Sequence, residues 1–187
     1  MFEAVIGKGR GMVLAVRSPD PVLSVVAPIG LAANVSACLV VDLADELDLN
    51  GSRSLADIVA EGPRLDELSP GRRGVAIISG GSIGVDQAQR VIVELATHWP
   101  AVVVRAGIER WPGPTVPVIP MYPGLLSPGH LGAAVWQPAG AAGSPEGPGP
   151  VLPRLRPGLV RGLLSGRLPT KSRWIAAWRQ VWDLPWA

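Results

Sequence analysis

Apolar and polar positions along this chain follow two different rhythms. Short runs of uninterrupted apolar residues alternate with stretches in which apolar residues return every three or four positions. Met12–Arg17, Cys38–Leu43, Gly74–Ser79, Ala101–Val104 and Thr115–Ile119 are the short runs, the last interrupted by Pro117. They predict strands of a mostly parallel sheet, which is covered on both faces and therefore needs no alternation. Ala4–Gly7 and Val22–Ala27 are read as further strands, with Pro28–Ala37 as a short small-residue connection. Ser54–Glu61 opens on an N-capping serine and stops at Gly62-Pro63, which predicts a short helix. Val85, Ala88, Val91, Ile92, Leu95 and Trp99 share one face of a longer helix that Pro100 ends. Strand, helix, strand, helix, strand over residues 38–119 predicts right-handed βαβ units.

Beyond Tyr122 the rhythm dissolves. Pro138–Pro150 is Pro, Gly, Ala and Ser with a single charge, a composition that buries nothing and predicts a flexible linker. Helical pieces return at Pro157–Leu164 and Thr170–Asp183. The expected organisation is a three-layer α/β domain over residues 1–137, a Pro/Gly-rich linker over 138–156 and a basic, Trp-rich helical tail over 157–187.

Composition agrees with one α/β domain plus an appendage: 187 residues, 48% of them hydrophobic, exclude wholesale disorder. The single Cys38 excludes an internal disulfide and, inside an apolar run, reads as a small core residue and not as a nucleophile. Met1-Phe2-Glu3 lacks the basic, then apolar, form of a signal peptide, so the expected residence is cytoplasmic. Val22–Val41 is nearly uncharged, yet Pro28, Gly30, Asn34 and Ser36 favour strand, loop and strand over a membrane span.

The candidate chemistry is acidic and glycine-rich. Asp42 and Asp45 follow the most apolar strand, where many nucleotide-binding α/β domains place a carboxylate beside a metal or water. Gly7, Lys8, Gly9 and Gly11 surround Arg10 in a basic glycine loop that serves equally as a hairpin turn or a vestigial phosphate cradle. It lacks a terminal Lys-Ser/Thr pair, and a strand follows it where a helix should hold the phosphate. Gly80-Gly81-Ser82-Ile83-Gly84 is a second anion-friendly loop, or simply a turn. His98 and His130 are isolated, which gives no metal cluster, and no nucleophile–histidine–acid spacing is present.

Leu39-Val40-Val41-Asp42-Leu43-Ala44-Asp45, followed by Asp48–Ala60, Gly74–Gly81 and Ala88–Arg105, resembles the ParA/MinD-like group of deviant P-loop ATPases, which includes members that position pili or septa. The resemblance covers about 40% of the chain and implies a P-loop NTPase fold. The group's Lys-Gly-Gly-x-Gly-Lys-Thr loop is absent. Lys8-Gly9-Arg10-Gly11 is its nearest counterpart; an alternative register uses Val22–Ala27 as the loop-bearing strand. Where the group's third strand ends in an aspartate, Val102-Val103-Val104 leads to Arg105. The expectation is a pseudo-ATPase without cofactor or catalytic residues, a scaffold or regulator that binds protein partners and self-associates. The alternative is an ATPase with a divergent loop that binds ATP and magnesium through Gly7, Lys8, Gly9, Gly11, Asp42 and Asp45.

Charge adds one more expectation. Residues 1–150 carry 10 Lys/Arg against 14 Asp/Glu, and residues 151–187 carry seven against one. Within that basic tail, Trp174, Trp178, Trp182 and Trp186 recur every fourth residue, with Arg173 and Arg179 on the other face. Indole with arginine suits an anionic membrane surface, which would place the protein at the inner face of the membrane. Docking of the stripe on the body, where it would complete the core, is the favoured reading, and a partner's groove is a further alternative. Nucleic acid is disfavoured, because the tryptophans lie with aliphatic residues and not among the cations.

Overall fold

Every described strand of this protein runs in the same direction. The computed structural model describes residues 11–44, 53–64, 67, 74–107, 111–122, 132–140, 145, 147–169 and 171–186. Six strands, β1 (Met12–Arg17), β2 (Ala37–Asp42), β3 (Gly74–Ser79), β4 (Ala101–Arg105), β5 (Thr115–Met121) and β6 (Val135–Pro138), form a parallel sheet in the order β3-β2-β4-β1-β5-β6. Helices α2 (Leu55–Glu61) and α3 (Val85–Leu95) cover one face, packing Leu55, Ile58, Ala88, Ile92 and Leu95 on Leu39, Val41, Val102 and Val104. Helix α1 (Pro21–Ala32), then α4 (Pro157–Leu164), α5 (Arg173–Ala177) and a 3-10 turn (Trp178–Asp183) cover the other, over Leu14, Val16, Cys38, Val40 and Val103. The fold is a three-layer α/β domain.

The strands follow the apolar runs, with one exchange. Val22–Ala27, expected as a strand, lies inside α1. Asp20 caps that helix, accepting from Leu23 N–H at 2.8 Å, and Pro21 opens it. Eight of its twelve residues are buried between sheet and tail. A helix covered on nearly all sides has no polar stripe, so its sequence imitates a buried strand. Ala4–Gly7, the other expected strand, lies outside the described residues.

β5 runs through Pro117, expected to weaken it, and on through Pro120. Its first half pairs with β1 through Ala15–Arg17, and its second with β6 through Val135–Pro138. Backbone donors alternate sides along a strand, so Pro117 turns its missing N–H toward β6 before β6 begins. Pro120 turns its own toward β1 after β1 has ended. No ladder bond is lost.

The linker expected at 138–156 is in part built into the sheet. Trp136 donates to the Pro150 carbonyl at 2.8 Å, and Leu152 donates back to Trp136 at 2.8 Å, so this stretch runs beside β6 and buries Leu152. The tail expected as a separate unit is packed on α1. Trp174 and Trp178 are buried with ring centroids 5.4 Å apart, edge to face. Trp174 Nε1 donates to Gln137 Oε1 at 2.6 Å, Trp182 Nε1 to the Leu31 carbonyl at 3.1 Å, and Asn34 Nδ2 to the Ile175 carbonyl at 2.7 Å. Gly30 makes this close approach possible: a β-carbon there would overlap the Trp174 ring and come within 2.8 Å of Trp178 Nε1.

Candidate functional site at the carboxyl edge of the sheet

From β1 the chain crosses toward β2, and from β4 it crosses the opposite way to β5. The carboxyl ends of β1 and β4 therefore flank the point where the winding reverses, the place where open α/β sheets leave a ligand crevice. Parallel register decides what lies there. Asp42, last in β2, pairs in register with Arg105, last in β4. Side chains alternate along a strand, so Asp42 follows Val40, and Arg105 follows Val103, onto the α1 face.

There the two close on each other. Arg105 Nη1 lies 3.0 Å from Asp42 Oδ1 and 3.1 Å from Oδ2, with Asp42 0% and Arg105 2% exposed. Helix α1 supplies the remaining partners through an irregularity. Pro28 has no N–H, so the Ser24 carbonyl one turn before it has no helical donor. Arg105 Nε donates to that carbonyl at 3.0 Å, and Nη2 donates to Ser24 Oγ at 3.1 Å. Ala44 N–H, at 3.0 Å from Asp42 Oδ1, adds a donor to the carboxylate. The crevice is filled by a buried, multiply bonded guanidinium–carboxylate pair.

The start of α1 is likewise occupied. Only Ser18, Pro19 and Asp20 separate β1 from α1. Asp20 puts its carboxylate on the helix N-terminus, where an incoming anion would otherwise meet free N–H groups. Tyr122 Oη donates to Asp20 Oδ2 at 2.9 Å, and that bond, with some burial, raises the phenol above its ordinary range. Ser18 Oγ donates to the Val118 carbonyl at 2.8 Å and fixes the loop against β5.

Of the residues expected to form a nucleotide site, only Gly11 and Asp42 are described, and they lie at opposite ends of the sheet's strands. Gly11 lies at the amino end of β1, opposite Asp42 along the sheet, donating to the Ala96 carbonyl at 2.6 Å. A β-carbon on it would overlap the Trp99 carbonyl, so Gly11 is a packing glycine. Gly7, Lys8, Gly9 and Asp45 lie outside the described residues. The alternative register, with Val22–Ala27 as the loop-bearing strand, is not met, because those residues are helical; the strand that leads into α1 is Met12–Arg17. The second glycine loop turns the chain against α2. Gly81, at φ +70°, has no space for a β-carbon beside Ser54, which caps α2 in a reciprocal bond with Asp57. Those bonds from Ser54 hold the Asp57 carboxyl below its ordinary range.

Cys38 is buried, and desolvation pushes its thiol up to about 12, which suits a core residue. Trp174 and Trp178, expected at a partner or membrane surface, are buried in the fold, and Trp182 is half-buried; Arg173 and Arg179 remain exposed. Trp174 and Trp178, packed on α1, are not presented at the surface. Among the described residues no helix is long and apolar enough to cross a membrane, and no three metal-ligating side chains cluster. The sequence reading passed over Asp20, Ser24 and Tyr122. For Asp20 the signal was present, since an acid directly before a proline marks a helix start.

Comparison with family models, curated proteins and solved structures finds no match to this chain.

Proposed function

We propose that this protein is a non-catalytic, ParA/MinD-like scaffold or regulator, with the sheet of a P-loop NTPase type, which acts through protein–protein interfaces. Its work would be to position a bacterial assembly of the pilus, septum or chromosome-partition kind. The observation that carries the reading is the buried Arg105–Asp42 pair at the reversal of the sheet. A nucleotide hydrolase needs an acid there that is available to magnesium or water, backbone N–H groups turned to the phosphates, and a lysine. In this chain the acid is neutralised by an internal cation, and Asp20 covers the helix N-terminus. Of its two lysines, Lys171 lies in the C-terminal segment and Lys8 lies outside the described residues. Among the described residues, Asp42 and Asp20 as they are held do not fit magnesium–ATP.

Phosphate release from ATP with magnesium tests the proposal. The purified chain should release no phosphate above the background of a boiled control. Hydrolysis that Asp42→Ala abolishes would overturn the reading. Self-association belongs to the same proposal, and sedimentation equilibrium of the full chain measures it.

A further inference from the structure

On the side of the molecule where the C-terminal segment meets β6, a groove of ≈ 1360 Å³ opens between the end of that strand and helices α4 and α5. Arg154, Arg156, Arg167, Lys171 and Arg173 line it, five of the seven basic residues that follow position 150, and among the described residues no acid does. All five are exposed, and none makes an ion pair among the described residues. Leu155, Leu159 and Leu168 supply apolar surface between the cations.

We infer that this groove is a docking site for an acidic linear peptide, one that carries apolar side chains between its carboxylates. Three observations select that occupant. The volume exceeds the range of about 300–1,000 Å³ typical of small-molecule pockets, so an extended segment fits it better than a single metabolite. Its cations line a concave groove, whereas a bilayer surface calls for cations arrayed on one convex or flat face. The one aromatic residue among the described lining, Trp174, is 2% exposed with its N–H committed to Gln137, so no described residue offers a stacking platform to single-stranded nucleic acid. Charge complementarity and apolar contact together describe an acidic peptide. This inference stands on the groove alone and is independent of the nucleotide question at the sheet edge.

Selection of random 12-residue displayed peptides on the full chain tests it. Enriched sequences should be rich in Asp and Glu interspersed with Leu, Ile or Phe. A fluorescein-labelled winner should bind with a dissociation constant that rises at least about tenfold in Arg156→Glu/Arg173→Glu, and less than about twofold in the distant control Arg90→Glu. Circular dichroism melting confirms that both variants are folded. Raising salt from about 0.1 M to about 1 M, which shortens the screening length from about 10 to 3 Å, should also weaken it. Failure to enrich acidic peptides, or equal binding by the double variant, overturns the inference. So does tighter binding of an oligo-dT strand, or of phosphatidylglycerol vesicles, that the same substitutions abolish. Dissociation of a dimer by the double variant would assign the groove to a second copy of this chain and would also overturn it.

Discussion

Removing Asp42 should be among the most damaging single changes this fold can suffer. In Asp42→Val the Arg105 guanidinium stays in place with 2% exposure and keeps Ser24 as its partner, but loses its counter-charge. A guanidinium does not shed its proton, so the stranded cation cannot neutralise itself. Breaking a buried pair in this way costs about 3–5 kcal/mol. For a chain of this length each kcal/mol lowers the melting temperature by about 2–4 °C, so a drop of about 6–20 °C is expected. Arg105→Met strands the Asp42 carboxylate instead and should likewise destabilise the fold. Asp42→Val/Arg105→Met removes both charges and should return to within about 2 kcal/mol of the parent, because an apolar pair of similar volume often replaces a buried ion pair without loss. Urea unfolding of the four proteins gives the coupling energy, expected above about 2 kcal/mol. Additive effects, or an Asp42→Val cost below about 1 kcal/mol, would mean that the pair does not fill the crevice, and the reasoning would fail.

Three further outcomes follow from the same contacts. Gly30→Ala gains helix propensity but drives a methyl group into the Trp174 and Trp178 rings, so it should destabilise by about 1–3 kcal/mol and alter tryptophan fluorescence; a stabilised variant would show that the tail is not docked on α1. Asp20→Ala removes the cap of α1 and the acceptor of Tyr122, with an expected loss of about 1 kcal/mol in urea unfolding. Cys38 titrates near 9.0 when unfolded and is pushed up to about 12 in the fold, so its contribution is intact below pH 9 and is lost as pH rises from 9 to 12. Comparing the parent with Cys38→Ala across that range should show a steeper alkaline decline in the parent; parallel curves would place the thiol in water.

Much of the architecture was legible in the apolar runs because continuous burial on both faces leaves an unmistakable mark on a parallel strand. The same logic misled at Val22–Ala27, where a helix roofed by the tail is buried as thoroughly as a strand. A local cue pointed the other way: Asp20-Pro21 offers an N-cap followed by a proline at the first helical position. The β6 ladder was hidden because Trp136 and Leu152 are separated by a Pro/Gly stretch that looks like linker, and only the backbone bonds between them reveal a strand edge. At the candidate site, Asp42 was visible by position, and Arg105 only as a departure from an expected acid. That the two belong together is a statement about register between β2 and β4, which are 63 residues apart at this rung. No local pattern carries such information. Pro28 shows the same limit: in sequence it is a helix breaker, and in three dimensions it frees the carbonyl that receives Arg105.

The central claim is that the crevice at the carboxyl edge is closed by the protein's own charges. Isothermal titration calorimetry of the full chain with magnesium–ATP tests it most directly. No saturable heat should appear up to about 1 mM nucleotide, an affinity weaker than about −4 kcal/mol. Saturable binding that Asp42→Ala abolishes would contradict the claim, because the acid would then be serving the nucleotide and not Arg105.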